Sequence, residues 1–125
     1  MRKRTVVLLV IVLAGLFALT AGCGSKSNPI EGAANLDQAK DVAAKAGLLS
    51  IQMGVQSYMA TNGAAPSDAS QATLGSLVSP WPNNPFTEAP MAPGTGAGDY
   101  SYAAVGTTGY KLTVKLSDGS LYSLP

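Results

Sequence analysis

Cys23 is the only thiol in the 125-residue chain, and the residues before it are ordered in a way that gives it chemistry. Met1-Arg2-Lys3-Arg4 is a positively charged start, and Thr5 to Ala21 is an apolar or small-residue run. Ala21 and Gly22, next to the cysteine, are small enough for the narrow groove of a signal peptidase. A single cysteine cannot close an intramolecular disulfide. Other residue types offer less. The chain has no histidine, which removes the commonest general base and the commonest metal ligand. Serines are plentiful, but a Ser–Lys dyad would have to use lysines that read as solvent-facing. The seven acids are scattered, whereas hydrolysis by paired carboxylates needs two that converge. Gly94-Thr95-Gly96-Ala97-Gly98 lacks the lysine of a phosphate loop. The expectation is a protein that is not an enzyme and takes no cofactor and no metal.

A cysteine directly after those small residues resembles the bacterial lipoprotein signal, and the resemblance implies a cut between Gly22 and Cys23. The resemblance implies that the Cys23 thiol is diacylated and that Cys23 becomes the lipidated first residue. The protein would then be fastened on the extracytoplasmic side of a bacterial membrane, in the cell envelope. Thr20 stands where that signal more often has a leucine, with Leu19 one place further out. A different reading leaves the apolar run uncleaved, as the helix of a single-pass membrane protein. Its length, about seventeen residues, is short against the roughly 20 of a typical span, and the small-residue ending favours cleavage. Acyl chains supply attachment at about 0.8 kcal/mol per buried methylene, and stable anchoring takes two or more chains.

Charge and length narrow the remainder. Without Arg2, Lys3 and Arg4, five lysines face seven acids, a net side-chain charge of −2. No basic patch is present to meet a phosphate backbone, so no nucleic-acid partner is expected. About a hundred residues suffice for one small domain with one modest core. The chain divides into a signal peptide at 1–22, a lipidated flexible tether at 23–35 and an α+β domain at 36–125. The tether reading rests on Gly24 to Ala34, which is rich in Gly, Ser and Asn without periodicity; its reach would be on the order of 15–20 Å.

The elements that position side chains begin at Asn35-Leu36-Asp37-Gln38, which reads as a helix start with Asn35 as N-cap and Gln38 completing a capping box. Good helix formers run on to Thr61, and Asn62-Gly63 is the stop, with Pro66 beyond. At 100° per residue, Ala44, Leu48, Ile51, Val55, Tyr58 and Met59 fall on one face and predict the core stripe. A second stripe, Val42, Ala46, Leu49 and Met53, lies on another side of the same helix. A single small sheet cannot cover both. Either the loop that follows folds back over the second stripe, or the stripe is a contact face for another helix, from a second copy or a partner protein.

Ala64 to Gly98 is a long proline-rich loop carrying order signals. Thr73 to Val78 predicts a short helical turn that inserts Leu74 and Leu77. Pro80-Trp81-Pro82-Asn83-Asn84-Pro85-Phe86 is stiffened by three prolines, and Trp81 and Phe86 read as lids on the core at the sheet edge or as an aromatic contact site for a sugar or peptide. The last residues predict three strands in a meander. Tyr110, Leu112, Val114 and Leu116 alternate inward, while Lys111, Thr113 and Lys115 meet water. Asp118-Gly119 predicts a two-residue hairpin turn of type I′. The fold expected is thus α+β, with one long helix packed on a three-stranded antiparallel meander.

This order resembles the globular domain of type IV pilins and of the major pseudopilin of type II secretion systems. The residues carrying the resemblance are Ile51-Gln52, Val55, Tyr58, Asn62-Gly63 and Pro66, then Trp81-Pro82-Asn83-Asn84-Pro85-Phe86. It continues through Gly98-Asp99-Tyr100-Ser101-Tyr102, Gly109-Tyr110-Lys111-Leu112 and Leu116-Ser117-Asp118-Gly119, so it covers Ala44 to Leu124. It implies a structural or interaction role at the envelope, with a pilin-like or secretion component as partner. The departures are specific. The glutamate five places after a prepilin cleavage glycine is missing, because Gly15 is followed there by Thr20 and Gly22 by Ser27. The apolar run also precedes the cut instead of continuing into the long helix. The resemblance would add a calcium-binding acidic loop, but only Asp99 and Asp118 are acidic in the C-terminal region, and calcium takes six to eight oxygens. An alternative from another class is an envelope lipoprotein that binds a small ligand or polymer through Trp81 and Phe86.

Overall fold

The computed structural model describes residues 29–125, with side chains from 32 onward. Gly22, Cys23 and the stretch 1–22 expected to be a signal peptide lie outside the described residues. Helix α1 spans Pro29–Asn62 and the one-turn helix α2 spans Gln71–Leu74. Strands β1 (Tyr100–Val105), β2 (Gly109–Lys115) and β3 (Leu121–Leu124) follow. They form an antiparallel sheet in the order β1-β2-β3, so the α+β class and the three-stranded meander stand as expected.

The start of α1 corrects the sequence reading. The helix begins at Pro29, and Asn35 lies inside it instead of capping it. Residues 29–35, read as tether, are helical. Proline is favoured in a first turn because its missing N–H would have no partner there, and Ala33 and Ala34 offset the cost of about 1 kcal/mol that Gly32 imposes. The other end is as expected. The Gly63 N–H donates to the Met59 carbonyl at 2.8 Å, and Gly63 takes the left-handed φ of 72° that closes a helix without a Cβ penalty.

Alternation decides the sheet's inner face. Register pairs Tyr100 with Val114 and Val114 with Tyr122, and likewise Tyr102 with Leu112 and Leu112 with Leu124. These residues pack with Ala44, Leu48, Ile51 and Val55 of α1, all fully buried, in one hydrophobic core. Tyr58 and Met59 are half-buried against it. The outer face departs from expectation at Thr113, which is buried instead of wet. β2 is the central strand, and Thr113 lies between Ser101 and Ser123, with its hydroxyl 3.3 Å from that of Ser123. The β2–β3 turn also differs. Gly119 has φ 83°, but neither Ser117 nor Asp118 has positive φ, which excludes type I′. Gly119 N–H donates to Leu116 O and Leu116 N–H to Ser120 O, making a three-residue loop with glycine in the bulge position. Asp41 of α1 fastens this loop, its two carboxylate oxygens accepting from the Ser117 N–H and hydroxyl, each at 2.8 Å.

Candidate functional site

The long loop is held by short polar links, and their positions decide what α1 shows to solvent. Its first part docks on the sheet tyrosines. The Tyr100 hydroxyl donates to Ala69 O at 2.6 Å and the Tyr102 hydroxyl to Pro66 O at 2.7 Å. Burial pushes the Tyr100 hydroxyl up to about 12, with the nearby Asp68 charge adding to it. Asp68 itself is held down to about 2, first by the Ser70 hydroxyl and then by Thr73; Asp68 and Ser70 together cap α2. The short helix inserts Leu74 as predicted, but its second anchor is Val78 and not Leu77, which stays 43% exposed. The turn that follows α2 rotates Val78 onto α1 and leaves Leu77 outside.

Asn84 holds the second part. Its side chain, buried to 2% exposure, donates to Ala97 O at 2.9 Å and to Asp99 Oδ1 at 3.1 Å, and accepts the Phe86 N–H at 2.9 Å. Its main chain pairs with Ala89 and Glu88. A buried amide with every group satisfied fixes a loop more firmly than apolar contact, because any displacement strands a polar group. The other oxygen of Asp99 accepts the Gly96 N–H at 2.8 Å. Tyr100 exchanges backbone bonds with Ala92 and Gly94, so the loop also covers the start of the β1 edge.

Two glycines of α1 receive this loop. A Cβ on Gly54 would collide with Val78 and touch Leu74, and one on Gly47 would lie 2.5 Å from Met91 Sδ and 3.2 Å from Pro82. Seven residues apart, they lie on the same side of the helix. The loop therefore reaches α1 along the Gly47–Gly54 line and stops there. Beyond it the second stripe is open: Val42 is 62%, Leu49 44% and Met53 68% exposed, and Ala46 is also exposed. The loop does not fold back over this stripe.

A groove of about 620 Å³ runs between stripe and loop. One wall is Ala43, Ala46, Gly47, Ser50 and Met53, a length of about 15 Å at 1.5 Å per residue. The other runs from Leu77 to Asn83, and no lining residue is charged. Trp81 is half-buried in this wall, with its indole N–H donated to Met91 O at 2.9 Å. Phe86 is half-buried against the core, with the Lys40 ammonium of α1 5.6 Å from its ring centroid. Both rings thus pack against the core, Trp81 in the groove wall facing α1 and Phe86 beneath Lys40 of α1.

Sequence reasoning placed Val42, Ala46, Leu49 and Met53 on one face, and the structure brings Met53 and Ala46 together with Trp81 at the groove. It missed Gly47, Gly54 and Asn84. Two glycines at a spacing of seven inside a long helix are a readable sign of close approach. An asparagine before proline marks a turn, but nothing local marks Asn84 as buried. No protein-family model matches the sequence, and no match was found among curated proteins or among solved structures.

Proposed function

We propose that the protein is a non-enzymatic, lipid-anchored envelope component with a pilin-like head, attached through Cys23 and meeting a protein partner through α1. The observation that carries this reading is the exposed stripe Val42–Leu49–Met53 beside an uncharged groove. Large apolar side chains aligned on a helix lose free energy to water until another surface covers them, at about 25 cal/mol per Å². The long helix, three-stranded meander and structured loop are in keeping with the pilin and pseudopilin resemblance, and so is a partner drawn from pilus or secretion components. Photo-cross-linkers placed at Leu49 and Met53 in cells are expected to capture one defined protein. Absence of any cross-linked species from both positions overturns the proposal.

The anchor rests on Cys23 and the residues before it. Labelled palmitate is expected on the wild-type protein and absent from Cys23→Ala, and label persisting in the variant refutes attachment there. No helix among the described residues is long and apolar enough to cross a membrane; the run 5–21 lies outside them. The ligand-binding alternative draws on Trp81 at the groove. It is weakened by the commitment of the indole N–H to Met91 and by the packing of both rings against the core.

A further inference from the structure

We propose that Asn62–Gly63 is a latent deamidation site gated by opening of the last turn of α1. It is the one Asn-Gly pair in the chain, and Asn-Gly is the pair that reacts most readily, because glycine puts no Cβ in the way of its own nitrogen. The step needs no co-reactant beyond water and base. Gly63 N loses its proton and attacks Asn62 Cγ. The N–Cγ bond forms, the Cγ–Nδ2 bond breaks, and ammonia leaves with a proton taken from solvent. Water then opens the cyclic imide at either carbonyl, giving aspartate or isoaspartate. Both residues are exposed, and the space a Cβ would take on Gly63 is empty, so water and base reach the pair freely.

The folded geometry nevertheless engages both reacting groups in hydrogen bonds to the preceding turn. The Gly63 N–H is donated to Met59 O at 2.8 Å, so the proton that must leave is bound. The Asn62 amide nitrogen donates to Tyr58 O at 2.9 Å, which ties the side-chain amide to the preceding turn of the helix. Thr61 adds a third link in the same turn, its hydroxyl donating to Ser57 O at 3.0 Å. Reaction therefore requires the turn to open, and its rate is the open-chain rate scaled by the open fraction. Once formed, an aspartate at 62 places negative charge at the negative end of the helix dipole, which favours further opening.

The test follows the amide-to-acid conversion of the Asn62 peptide by mass spectrometry in the full-length protein at mildly alkaline pH. Conversion in the folded protein is expected to be at least about tenfold slower than in the same protein held unfolded in urea. Thr61→Gly, which loosens the last turn, is expected to raise both the conversion rate and the Gly63 amide exchange rate. Equal rates in folded and unfolded protein overturn the proposal. So does a Thr61→Gly variant in which Gly63 exchange accelerates while conversion does not.

Discussion

The two long faces of α1 are made of the same residue types and have opposite fates. Ala44, Leu48, Ile51 and Val55 are fully buried, whereas Val42, Leu49 and Met53 stay exposed. Hydrophobicity cannot separate them. The boundary is the line of Gly47 and Gly54, where the loop lands. Val78 rests on Gly54 and Met91 and Pro82 on Gly47, while Tyr100, Tyr102 and Asn84 hold the rest of the loop back toward the sheet. Pinned in this way, the loop leaves the second stripe uncovered. Exposure there is set by where the loop is tied and not by the composition of the stripe.

The sharpest way to break this contrast is truncation on either side of the boundary. Ile51→Ala is expected to cost about 2–5 kcal/mol in denaturant unfolding, through lost transfer energy and a cavity. Met53→Ala is expected to stay within about 0.5 kcal/mol. Equal effects would mean that the second stripe is covered in solution.

The boundary itself comes next. Gly54→Ala forces a methyl against the short, stiff Val78 side chain, an overpacking cost on the order of 1–3 kcal/mol, less about 1 kcal/mol of helix propensity regained. Gly47→Ala meets chiefly the flexible Met91, so thermal unfolding is expected to show it near neutral.

A smaller effect tests how tightly the Asn84 turn is set. Glu88 is the one non-glycine among the described residues with positive φ, at 62°. Glu88→Gly relieves the left-handed penalty and is expected to raise stability by up to about 1 kcal/mol. Loss of stability instead would show a contact role for the carboxylate.

The pH profile separates the two links of the first loop segment. Asp68 titrates low in the folded state, so its contribution is present above the ordinary pKa of 3.8 and disappears as pH falls through about 2. Its exposure to solvent keeps this effect small. Tyr100 titrates high, so its contribution is complete below about pH 10 and is lost as pH rises through about 12. Alkaline melting is expected to move with Tyr100→Phe and acid melting with Asp68→Asn. A Tyr100→Phe variant with an unchanged alkaline profile would place the sensitive group elsewhere.

Much of this was legible from residue order. The 3.6-residue spacing of Ala44, Leu48, Ile51 and Val55 and the alternation of Leu112, Val114 and Leu116 identify the two surfaces of the core, because each period commits side chains to one face. Local signals were less reliable where two of them competed. Asn35 looked like a cap, yet Pro29 and the alanines carried the helix past it. Asp118-Gly119 looked like a two-residue turn, yet the Asp41 clasp on Ser117 accompanies a longer one.

By itself the sequence determined the long helix, the meander and the core stripe, all of which follow from patterns within a few residues of one another. Only the tertiary structure decided that Val78 and not Leu77 anchors the loop, that Thr113 is shielded, that Asn84 is buried, and that the second stripe is open. Each of these depends on contacts between residues far apart in the chain. Such contacts form only once helix, loop and sheet share one core, and no local period encodes which of two equally apolar stripes a distant loop will reach.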